Sequence, residues 1–495
     1  MSLINVSNLT FAYDGTYDNV FENVSFQIDS AWRLGLVARN GRGKTTLLNL
    51  LCEKYEYSGN ISSSVQYEYF PYFIEDKSID TIDILKHIYK DFELWELIRE
   101  LSYLEVCDDV LYRPFNTLSN GEQTKVLLAL LFLKENSFLL IDEPTNHLDI
   151  GARETVSNYL KTKKGFILVS HDRNFLDNCV DHILAINKAR IEVQKGNFSS
   201  WKTNKELADN YELARNEKLK KDISRLKEAS QRTAAWSDKV EKTKYATKNS
   251  GLRPDRGYIG HKAAKMMKQS KSIEARMHDA IDDKTKLLKN IETTDELKIS
   301  QLAYHSKNLV SLNKVNIFYD SNCVCENISF EINATDRIAL CGKNGSGKSS
   351  ILKLICGEQI KYSGEVRKGS NIKISYVSQD TSFLQGKLSD FAKQRQIDQS
   401  LFYAILNKLD FTKIQFEKDM KSFSEGQKKK ALIAMSLCEK AHLHIWDEPL
   451  NFIDVFCRIQ IEQLLLTYRP TILFVEHDRC FIADIADKII NIDLK

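Results

Sequence analysis

The chain contains the same module twice, and this repetition constrains its fold more than any other feature of the sequence. The segment FENVSFQID at residues 21–29 returns as CENISFEIN at residues 325–333. Downstream landmarks repeat at offsets of 304–306 residues, pairing Lys44 with Lys348, Ser119 with Ser424, Asp142 with Asp447 and His171 with His477. We therefore expect one domain at residues 1–202 and a second at residues 304–495, with residues 203–303 belonging to neither.

Each copy has the pattern of an α/β domain. Apolar runs at residues 138–141 and 166–169 predict buried parallel strands, residues 3–13 predict a further strand, and residues 45–51 predict a helix. Domains of this kind bind ligands beyond the carboxyl ends of their strands, so the motifs at those ends are the candidate sites.

The segment between the copies differs in composition. Residues 203–288 are rich in Lys, Glu, Ala, Leu and Arg with helical periodicity, and glycines and a proline interrupt them at residues 249–260. We predict a linker of two long helices joined at a tip. Residues 215–276 hold 18 Lys or Arg and 7 Asp or Glu, whereas the whole chain carries a net charge of only +3. The simplest interpretation is a charged helix pair that is exposed to solvent. The functional interpretation is that its excess of Lys and Arg neutralises nucleic-acid phosphates.

Composition excludes some classes of protein. The longest apolar run, residues 126–133, is far shorter than the roughly 20 residues of a membrane-spanning helix, so we expect no membrane domain. The ten cysteines are scattered, and the first residues do not have the pattern of a secretory signal. Reduced thiols and a cytoplasmic location are therefore expected.

Two glycine-rich loops predict nucleotide binding. GKNGSGKS at residues 342–349 follows a predicted strand and begins a predicted helix, and ARNGRGKT at residues 38–45 matches it with Ala in place of the first Gly. In such loops backbone N–H groups bind phosphates, the lysine reaches the β and γ oxygens, and the following hydroxyl ligates Mg²⁺. We predict ATP and Mg²⁺ as cofactors. The predicted contacts are Asn40, Gly41, Gly43, Lys44, Thr45 and Thr46, and in the second copy Asn344, Gly345, Gly347, Lys348, Ser349 and Ser350.

An Asp-Glu pair ends an apolar strand in each copy. Asp142 and Asp447, together with the hydroxyls of Thr45 and Ser349, are predicted Mg²⁺ ligands. The adjacent glutamates, Glu143 and Glu448, are predicted to polarise the water that attacks the γ-phosphate.

Two further pairs of residues repeat beside these motifs. His171 and His477 each follow an apolar strand and are predicted to contact the γ-phosphate, because the repetition favours this over a structural role. Tyr13 and Tyr319 occupy corresponding positions and could stack on adenine, with an ordinary buried aromatic as the alternative.

The segments LSNGEQ at residues 118–123 and FSEGQK at residues 423–428 resemble the signature motif of ATP-binding-cassette (ABC) domains. In that family the signature of one domain faces the P-loop of the other. The resemblance implies a monomer whose cassettes pair within the chain. Ser424 and Gly426 would complete the first site, and Ser119 and Gly121 the second.

The two sites differ at one position. A glutamine expected as a Mg²⁺ ligand is present as Gln379, but the matching position of the first copy is Tyr72, which has no carboxamide. The sequence therefore predicts that the two sites hydrolyse ATP at different rates.

Two cassettes, no membrane span and a basic linker resemble the ABC-F family of translation-associated ATPases. The stretches LLIDEPTNHLD, FILVSHDRNF and IGHKAAKMMKQSK are most similar to Lsa-type antibiotic-resistance proteins. This resemblance implies binding of the 70S ribosome at the E site, near 23S rRNA and the P-site tRNA, and release of lincosamide, pleuromutilin or streptogramin A drugs. The predicted linker-tip residues that would face RNA or drug are Tyr245, Leu252, Tyr258 and Ile259.

Two alternatives stay open at this point. One is a housekeeping translation factor that rescues stalled ribosomes, which drug-susceptibility tests would separate from a resistance protein. The other is the ATPase subunit of a membrane transporter, which the long basic linker disfavours.

Overall fold

The computed structural model describes residues 2–13, 19–146, 148–187, 191–242, 261, 264, 265, 268, 271, 272, 276, 302, 304–319 and 322–492. The chain divides into two compact units. The first unit comprises residues 1–201 and 296–495, and the second comprises residues 202–295. Both repeats lie in the first unit. We call them cassette 1, residues 2–201, and cassette 2, residues 304–492.

Cassette 1 combines two sheets with helices on both sides of the larger one. Its strands are β1 (Leu3–Phe11), β2 (Phe21–Asp29), β3 (Arg33–Val37), β4 (Ser58–Ser62), β5 (Gln66–Phe70), β6 (Ser137–Asp142), β7 (Phe166–Val169), β8 (His182–Ile186) and β9 (Ile191–Lys195). Its helices are α1 (Lys44–Leu51), α2 (Thr81–Ile88), α3 (Leu94–Tyr103), α4 (Asn120–Leu131), α5 (Ile150–Thr162) and α6 (Arg173–Cys179).

Cassette 2 repeats the strand order of cassette 1 as far as β17, which corresponds to β8. Its strands are β10 (Asn308–Tyr319), β11 (Asn322–Asn333), β12 (Arg337–Cys341), β13 (Lys361–Lys368), β14 (Ile374–Val377), β15 (Leu443–Asp447), β16 (Ile472–Val475) and β17 (Lys488–Asn491). Numbered after the linker helix α7 (Phe198–Lys242), its helices are α8 (Lys348–Cys356), α9 (Leu388–Gln394), α10 (Gln399–Lys408), α11 (Lys413–Glu417), α12 (Glu425–Cys438), α13 (Val455–Tyr468) and α14 (Arg479–Ile485).

A predominantly parallel sheet forms the centre of each cassette. Its strand order is β5-β6-β7-β3-β8-β9 in cassette 1 and β14-β15-β16-β12-β17 in cassette 2. All four residues of β7 are buried, as are those of β16, because both faces of the sheet are covered. The predicted α/β fold and the buried parallel strands are confirmed.

A smaller antiparallel sheet, which the sequence interpretation did not include, accompanies each parallel one. Its order is β2-β1-β4 in cassette 1 and β11-β10-β13 in cassette 2. The apolar side chains of this sheet, of α1 and of one face of the central sheet form one core, and the opposite face packs against α2 to α6 in another. The central strands are therefore held from both sides, which fixes the positions of the loops at their carboxyl ends.

The helix that continues into the linker begins inside cassette 1. Helix α7 starts at Phe198, which together with Trp201 is buried in the core of cassette 1. The described positions from 261 to 276 are also helical. The predicted tip residues Tyr245, Leu252, Tyr258 and Ile259 lie outside the described residues.

Candidate nucleotide sites

The first P-loop lies between β3 and α1. Gly43 has a φ of 86°, in the left-handed region, and precedes the first residue of α1. The Lys44 ammonium donates to the Ala38 carbonyl and to Asn40 Oδ1, both at 3.1 Å, so it lies under the loop. Burial lowers the pKa of Lys44, although Glu143 and Asp454 oppose the shift.

A pair of oxygen ligands lies beside this loop. Thr45 Oγ1 donates to Asp142 Oδ2 at 2.9 Å, and Tyr69, on the neighbouring strand β5, donates its hydroxyl to the same oxygen at 3.1 Å. Burial raises the pKa of Asp142. A hydroxyl and a carboxylate in contact are the hard oxygen donors that Mg²⁺ prefers. This arrangement fits a divalent cation next to a phosphate-binding loop.

Glu143 follows directly at the end of β6. Its φ of 52° lies in the left-handed region, which is unfavourable for a glutamate, and its N–H donates to the Val169 carbonyl at 2.9 Å. His171 Nε2 lies 3.0 Å from Glu143 Oε1, a buried oxygen that has no hydrogen bond among the described residues. Burial raises the pKa of Glu143 to about 8, and burial lowers that of His171 well below its usual value.

The second P-loop has the same geometry. The Lys348 ammonium donates to the carbonyls of Gly342 and Lys343 at 2.9 and 2.8 Å, and Ser349 Oγ donates to Asp447 Oδ1 at 3.1 Å. Gly347 has a φ of 83°, and a Cβ there would come within 2.0 Å of Cys325 Sγ, so this position requires glycine.

The second glutamate is held by more hydrogen bonds than the first. Glu448 Oε2 accepts from Gln379 Nε2 at 2.9 Å and from Asn451 Nδ2 at 2.7 Å, and His477 Nε2 lies 3.6 Å from Oε1. Burial opposes ionisation of Glu448, but the nearby His477 imidazole and the ammonium groups of Lys429 and Lys348 outweigh it and lower the pKa of Glu448. Like Glu143, Glu448 has a left-handed backbone, with a φ of 47°.

Tyr72 occupies the position that corresponds to Gln379. In cassette 1, Phe70 pairs with Ile141, and in cassette 2, Val377 pairs with Trp446, so both pairings lie one residue before the Asp-Glu pair. Tyr72 and Gln379 each follow two residues after the paired strand residue and are therefore equivalent. The Tyr72 hydroxyl is buried without a hydrogen-bond partner in the described structure, and its ring packs under the Lys134 ammonium at 5.1 Å. Tyr72 therefore packs in the core of cassette 1, whereas Gln379 reaches the glutamate of its own site.

The two cassettes meet at the first P-loop. The Asn40 N–H donates to Asp454 Oδ2 at 3.3 Å, and Asn40 Nδ2 donates to the Phe452 carbonyl at 3.0 Å. A Cβ built on Gly426 of the second signature would lie 3.4 Å from Asn40 Nδ2. The structure thus brings the P-loop of cassette 1 against the signature of cassette 2.

Each signature segment begins a helix. Ser119 caps α4 and Ser424 caps α12, and both serines belong to reciprocal capping boxes with Glu122 and Gln427. The helix N-termini direct free N–H groups and positive partial charge outward, as an anion-binding surface requires. Asp149, which caps α5 of cassette 1, interacts with the P-loop lysine of cassette 2. Burial lowers the pKa of Lys348, and the carboxylates of Glu448 and Asp149 oppose this shift.

The two tyrosines proposed for adenine stacking lie beside the P-loop helices. The Tyr13 and Thr46 hydroxyls are 2.7 Å apart, and Ser350 Oγ donates to the Tyr319 hydroxyl at 3.2 Å. The rings are 41% and 46% exposed. Each therefore has an accessible face, in contrast to the buried-aromatic alternative.

Sequence reasoning missed three residues of these sites. Tyr69 contacts Asp142, Asn451 contacts Glu448, and Lys429 is buried behind the second site. The Lys429 ammonium donates to the carbonyls of Ser378, Asp447 and Glu448 at 2.9, 3.4 and 3.2 Å. Recurrence of Tyr69 as Tyr376 was an available signal, whereas Lys429 aligns with Thr124 and the repeat gives no indication of its role.

Comparison with known proteins identifies the family. Residues 21–146 and 325–451 match the family described as ABC transporter, once in each cassette. None of the helices that the structure describes combines the length and the hydropathy that a bilayer-spanning helix needs.

Relatives and a solved structure match over nearly the full chain. The chain is 28% identical to the ATP-binding protein Uup of Buchnera aphidicola subsp. Acyrthosiphon pisum, covering 99% of this chain and 80% of Uup. It is 27% identical to the ribosome protection protein VmlR of Bacillus subtilis, covering 97% and 84%. The crystal structure of archaeal ribosome recycling factor aABCE1 with stalk protein aP1 aligns with a TM-score of 0.62 at 18% identity, covering 95% and 84%.

These matches agree with the paired P-loops, the Asp-Glu pairs and the facing signature. The archaeal structure shows the tandem-cassette fold, and the two bacterial relatives extend the likeness across the linker. The chain therefore belongs to the ABC transporter family as an ATPase with two ATP-binding cassettes.

Proposed function

We propose that this protein binds the ribosomal E site in its ATP-bound form and uses its basic linker to displace lincosamide, pleuromutilin or streptogramin A antibiotics from the peptidyl-transferase region. The contact of Asn40 with Asp454 and Phe452 carries the proposal, because a nucleotide on this P-loop would touch both cassettes. ATP binding would then stabilise one arrangement of the cassettes. The likeness to VmlR, whose name describes ribosome protection, supports this direction.

The residues that would hold ATP and Mg²⁺ are those whose geometry is described above. Lys44 and Lys348 would neutralise the β- and γ-phosphates, and the signature serines Ser424 and Ser119 would contact the γ-phosphate from the opposite cassette. Thr45 with Asp142, and Ser349 with Asp447 and Gln379, would hold Mg²⁺. The bound cation would supply charge neutralisation for the phosphates.

The glutamates would act on water. In the second site, Glu448 would take the proton of the water whose oxygen bonds to the γ-phosphorus as the bond to the β,γ-bridging oxygen breaks. Gln379 and Asn451 fix the position of the Glu448 carboxylate, and His477 would contact the γ-phosphate. Loss of this phosphate would remove the ligand shared by the cassettes and release the protein.

The linker would contact RNA by charge. Its excess of Lys and Arg over residues 215–276 can neutralise phosphates of 23S rRNA or of the P-site tRNA, with affinity that falls as salt increases. Tyr245, Leu252, Tyr258 and Ile259 are the proposed tip residues next to RNA or drug.

A variant that binds ATP without hydrolysing it tests the proposal. Glu143→Gln with Glu448→Gln should sediment with 70S ribosomes when ATP is present, and raising the salt should weaken this binding. In a sensitive host the wild type should raise the inhibitory concentrations of lincomycin, tiamulin and a streptogramin A. Erythromycin is the comparison drug. Absence of the double variant from the ribosome pellet would refute ribosome binding.

A housekeeping role in rescuing stalled ribosomes is the second candidate. The chain is about as similar to Uup, named only as an ATP-binding protein, as to VmlR, so similarity does not choose between them. Ribosome binding without any change in drug susceptibility would favour the housekeeping role. Co-purification with membranes instead of ribosomes would favour a transporter subunit.

A further inference from the structure

The first turn of α7 packs against both cassettes. Phe198 and Trp201 of this turn are buried in the core of cassette 1, where their ring centres are 5.6 Å apart. Phe456, on α13 of cassette 2, packs against the same core. The Trp201 and Phe456 rings are 5.9 Å apart with an interplanar angle of 75°, the edge-to-face geometry that aromatic pairs prefer. The helix that continues into the linker therefore starts in direct contact with a ring of cassette 2.

The Phe456 ring also contacts the first P-loop. The Arg39 guanidinium lies over this ring, 5.8 Å from its centre, in a cation–π contact. Arg39 also forms an ion pair with Asp410 of cassette 2. The next residue of the loop, Asn40, donates its N–H to Asp454, which caps α13 two residues before Phe456. One aromatic side chain thus touches both the P-loop and the first turn of α7.

The start of α13 is tied to the P-loop by a single carboxylate. Asp454 Oδ1 accepts from the Cys457 N–H at 3.0 Å and so caps the helix. The other oxygen, Oδ2, accepts from the Lys430 ammonium at 3.4 Å and from the Asn40 N–H at 3.3 Å. Asp454 and Lys430 are both buried. Because this carboxylate serves the helix start and the P-loop together, a displacement of the loop from cassette 2 would also change the position of the loop relative to Phe456.

The other copy shows that nucleotide binding alone does not require this ring. The residue that corresponds to Phe456 is Gly151, which has no side chain, and Arg39 corresponds to Lys343. The second P-loop therefore has no aromatic ring at this position of the facing cassette. The ring occurs on the side where α7 begins, which suggests a role that concerns α7.

We propose that Phe456 transmits the nucleotide state of the first site to the linker. With ATP bound, the P-loop, the start of α13 and the first turn of α7 are held together through this ring, and without ATP these contacts loosen. ATP can shift this equilibrium because the P-loop contacts across the interface differ between the two arrangements. Helix α7 is continuous from Phe198 to Lys242, so a change at its first turn continues into the linker. Phe456 acts as a positioning residue, and the inference rests on the proposed function only in that the first P-loop binds ATP.

Hydrogen–deuterium exchange of the purified full-length protein tests this coupling. The parent protein is Glu143→Gln with Glu448→Gln, which should bind ATP without hydrolysing it. ATP and Mg²⁺ should slow exchange of the backbone amides at residues 200–215 at least about 5-fold. Phe456→Ala in this parent should reduce the slowing to less than about 2-fold, whereas ATP should still protect the P-loop amides at residues 39–46.

Leu466→Ala is the matched control, because it removes an apolar side chain that is 42% exposed from the same helix. ATP should slow exchange in α7 of this variant as much as in the parent. Full slowing in Phe456→Ala, or an equal loss in Leu466→Ala, would overturn the role of the ring. Protection of the P-loop without any slowing in α7 of the parent would overturn the coupling itself.

Milder variants keep the test valid if Phe456→Ala is poorly folded. Phe456→Leu fills most of the apolar volume but has no ring, so it should keep the melting temperature of Leu466→Ala and still lose most of the slowing in α7. Trp201→Phe keeps an aromatic ring beside Phe198 and should lose part of it. Because both substitutions act on one contact, their effects should not add when they are combined. Additive effects would refute transmission through the Trp201–Phe456 contact.

These measurements use no ribosomes and no antibiotic. Protection of the P-loop amides reports ATP binding, and slowing in α7 reports the coupling. The coupling can therefore fail while ribosome binding holds, and ribosome binding can fail while the coupling holds.

Discussion

The buried Lys429 should stabilise cassette 2 strongly, and its substitution by Met tests how the second site is built. The ammonium, on α12, donates to carbonyls at the ends of β14 and β15, namely those of Ser378, Asp447 and Glu448. Burial lowers its pKa, although the carboxylates of Glu476, Asp447 and Glu448 oppose the shift. Lys429→Met removes this donor from the buried carbonyl oxygens and removes one positive charge from beside the carboxylates.

The size of the effect follows from the contacts. A hydrogen bond from a charged donor is worth about 1.5–3 kcal/mol, and leaving buried partners without it costs a similar amount. The variant no longer has to bury a charged ammonium, and this saving in desolvation free energy offsets part of the loss. We therefore expect a decrease of about 3 kcal/mol in the free energy of unfolding. For a domain of this size that corresponds to roughly 6–12 °C in melting temperature.

Calorimetry of the full-length protein, together with steady-state ATPase kinetics, checks this prediction. Lys428→Met is the matched control, because the neighbouring lysine forms an i,i+3 pair with Glu425 at 3.0 Å, worth about 0.3–0.5 kcal/mol. We also expect Lys429→Met to lower kcat more than it raises KM, since the lysine holds the backbone of Glu448. A melting temperature within about 2 °C of the wild type, or an equal effect of Lys428→Met, would refute the reasoning.

Two other predictions concern stability. Burial lowers the pKa of His444 to about 4, below the 6.5 of an exposed histidine, so between these values the unfolded chain binds a proton that the folded chain does not. The free energy of unfolding should therefore fall by about 3 kcal/mol as the pH drops through this window. In His444→Gln the melting temperature should depend less on pH between pH 7 and pH 5 than in the wild type, and an equal dependence in both proteins would contradict this. Gly426→Ala should destabilise cassette 2, because the new Cβ would lie 2.4 Å from the Phe452 carbonyl, whereas at the equivalent Gly121 the nearest atom is 3.6 Å away. Thermal unfolding of both alanine variants compares them, and a larger effect at Gly121 would contradict this steric argument.

The local parts of the structure were accessible from the sequence. Each P-loop is one continuous segment between a strand and a helix, so its glycines and lysine reveal it without knowledge of the rest of the fold. The strands ending at Asp142 and Asp447 are also continuous apolar runs, and the structure places both carboxylates next to the expected hydroxyls. Periodicity and motif spacing suffice for such features.

Long-range contacts were not accessible in this way. The antiparallel sheets depend on the register of β1 with β4, strands whose pairing spans about fifty residues and leaves no periodic signal. Arg173 and Glu462 are 289 positions apart, and although Arg173 lies in the stretch FILVSHDRNF, nothing in that stretch indicates a partner in the other cassette. The left-handed backbone at Glu143 is equally hidden, because sterics make glycine or asparagine the expected residue there.

Arg173 of cassette 1 forms a buried ion pair with Glu462 on α13 of cassette 2, and this pair makes the two junctions between the halves different. A hypothetical protein made of two cassette 1 halves would place an arginine opposite Ser157 at both junctions, where the nearby carboxylate is that of Glu154, which forms an exposed ion pair with Arg479 in the natural chain. One made of two cassette 2 halves would offer a glutamate at each. The buried Arg173–Glu462 pair thus needs one half of each kind, and a chimaera of two cassette 1 halves should have only exposed arginine–glutamate pairs at its junctions, so its halves should associate more weakly than those of the natural chain.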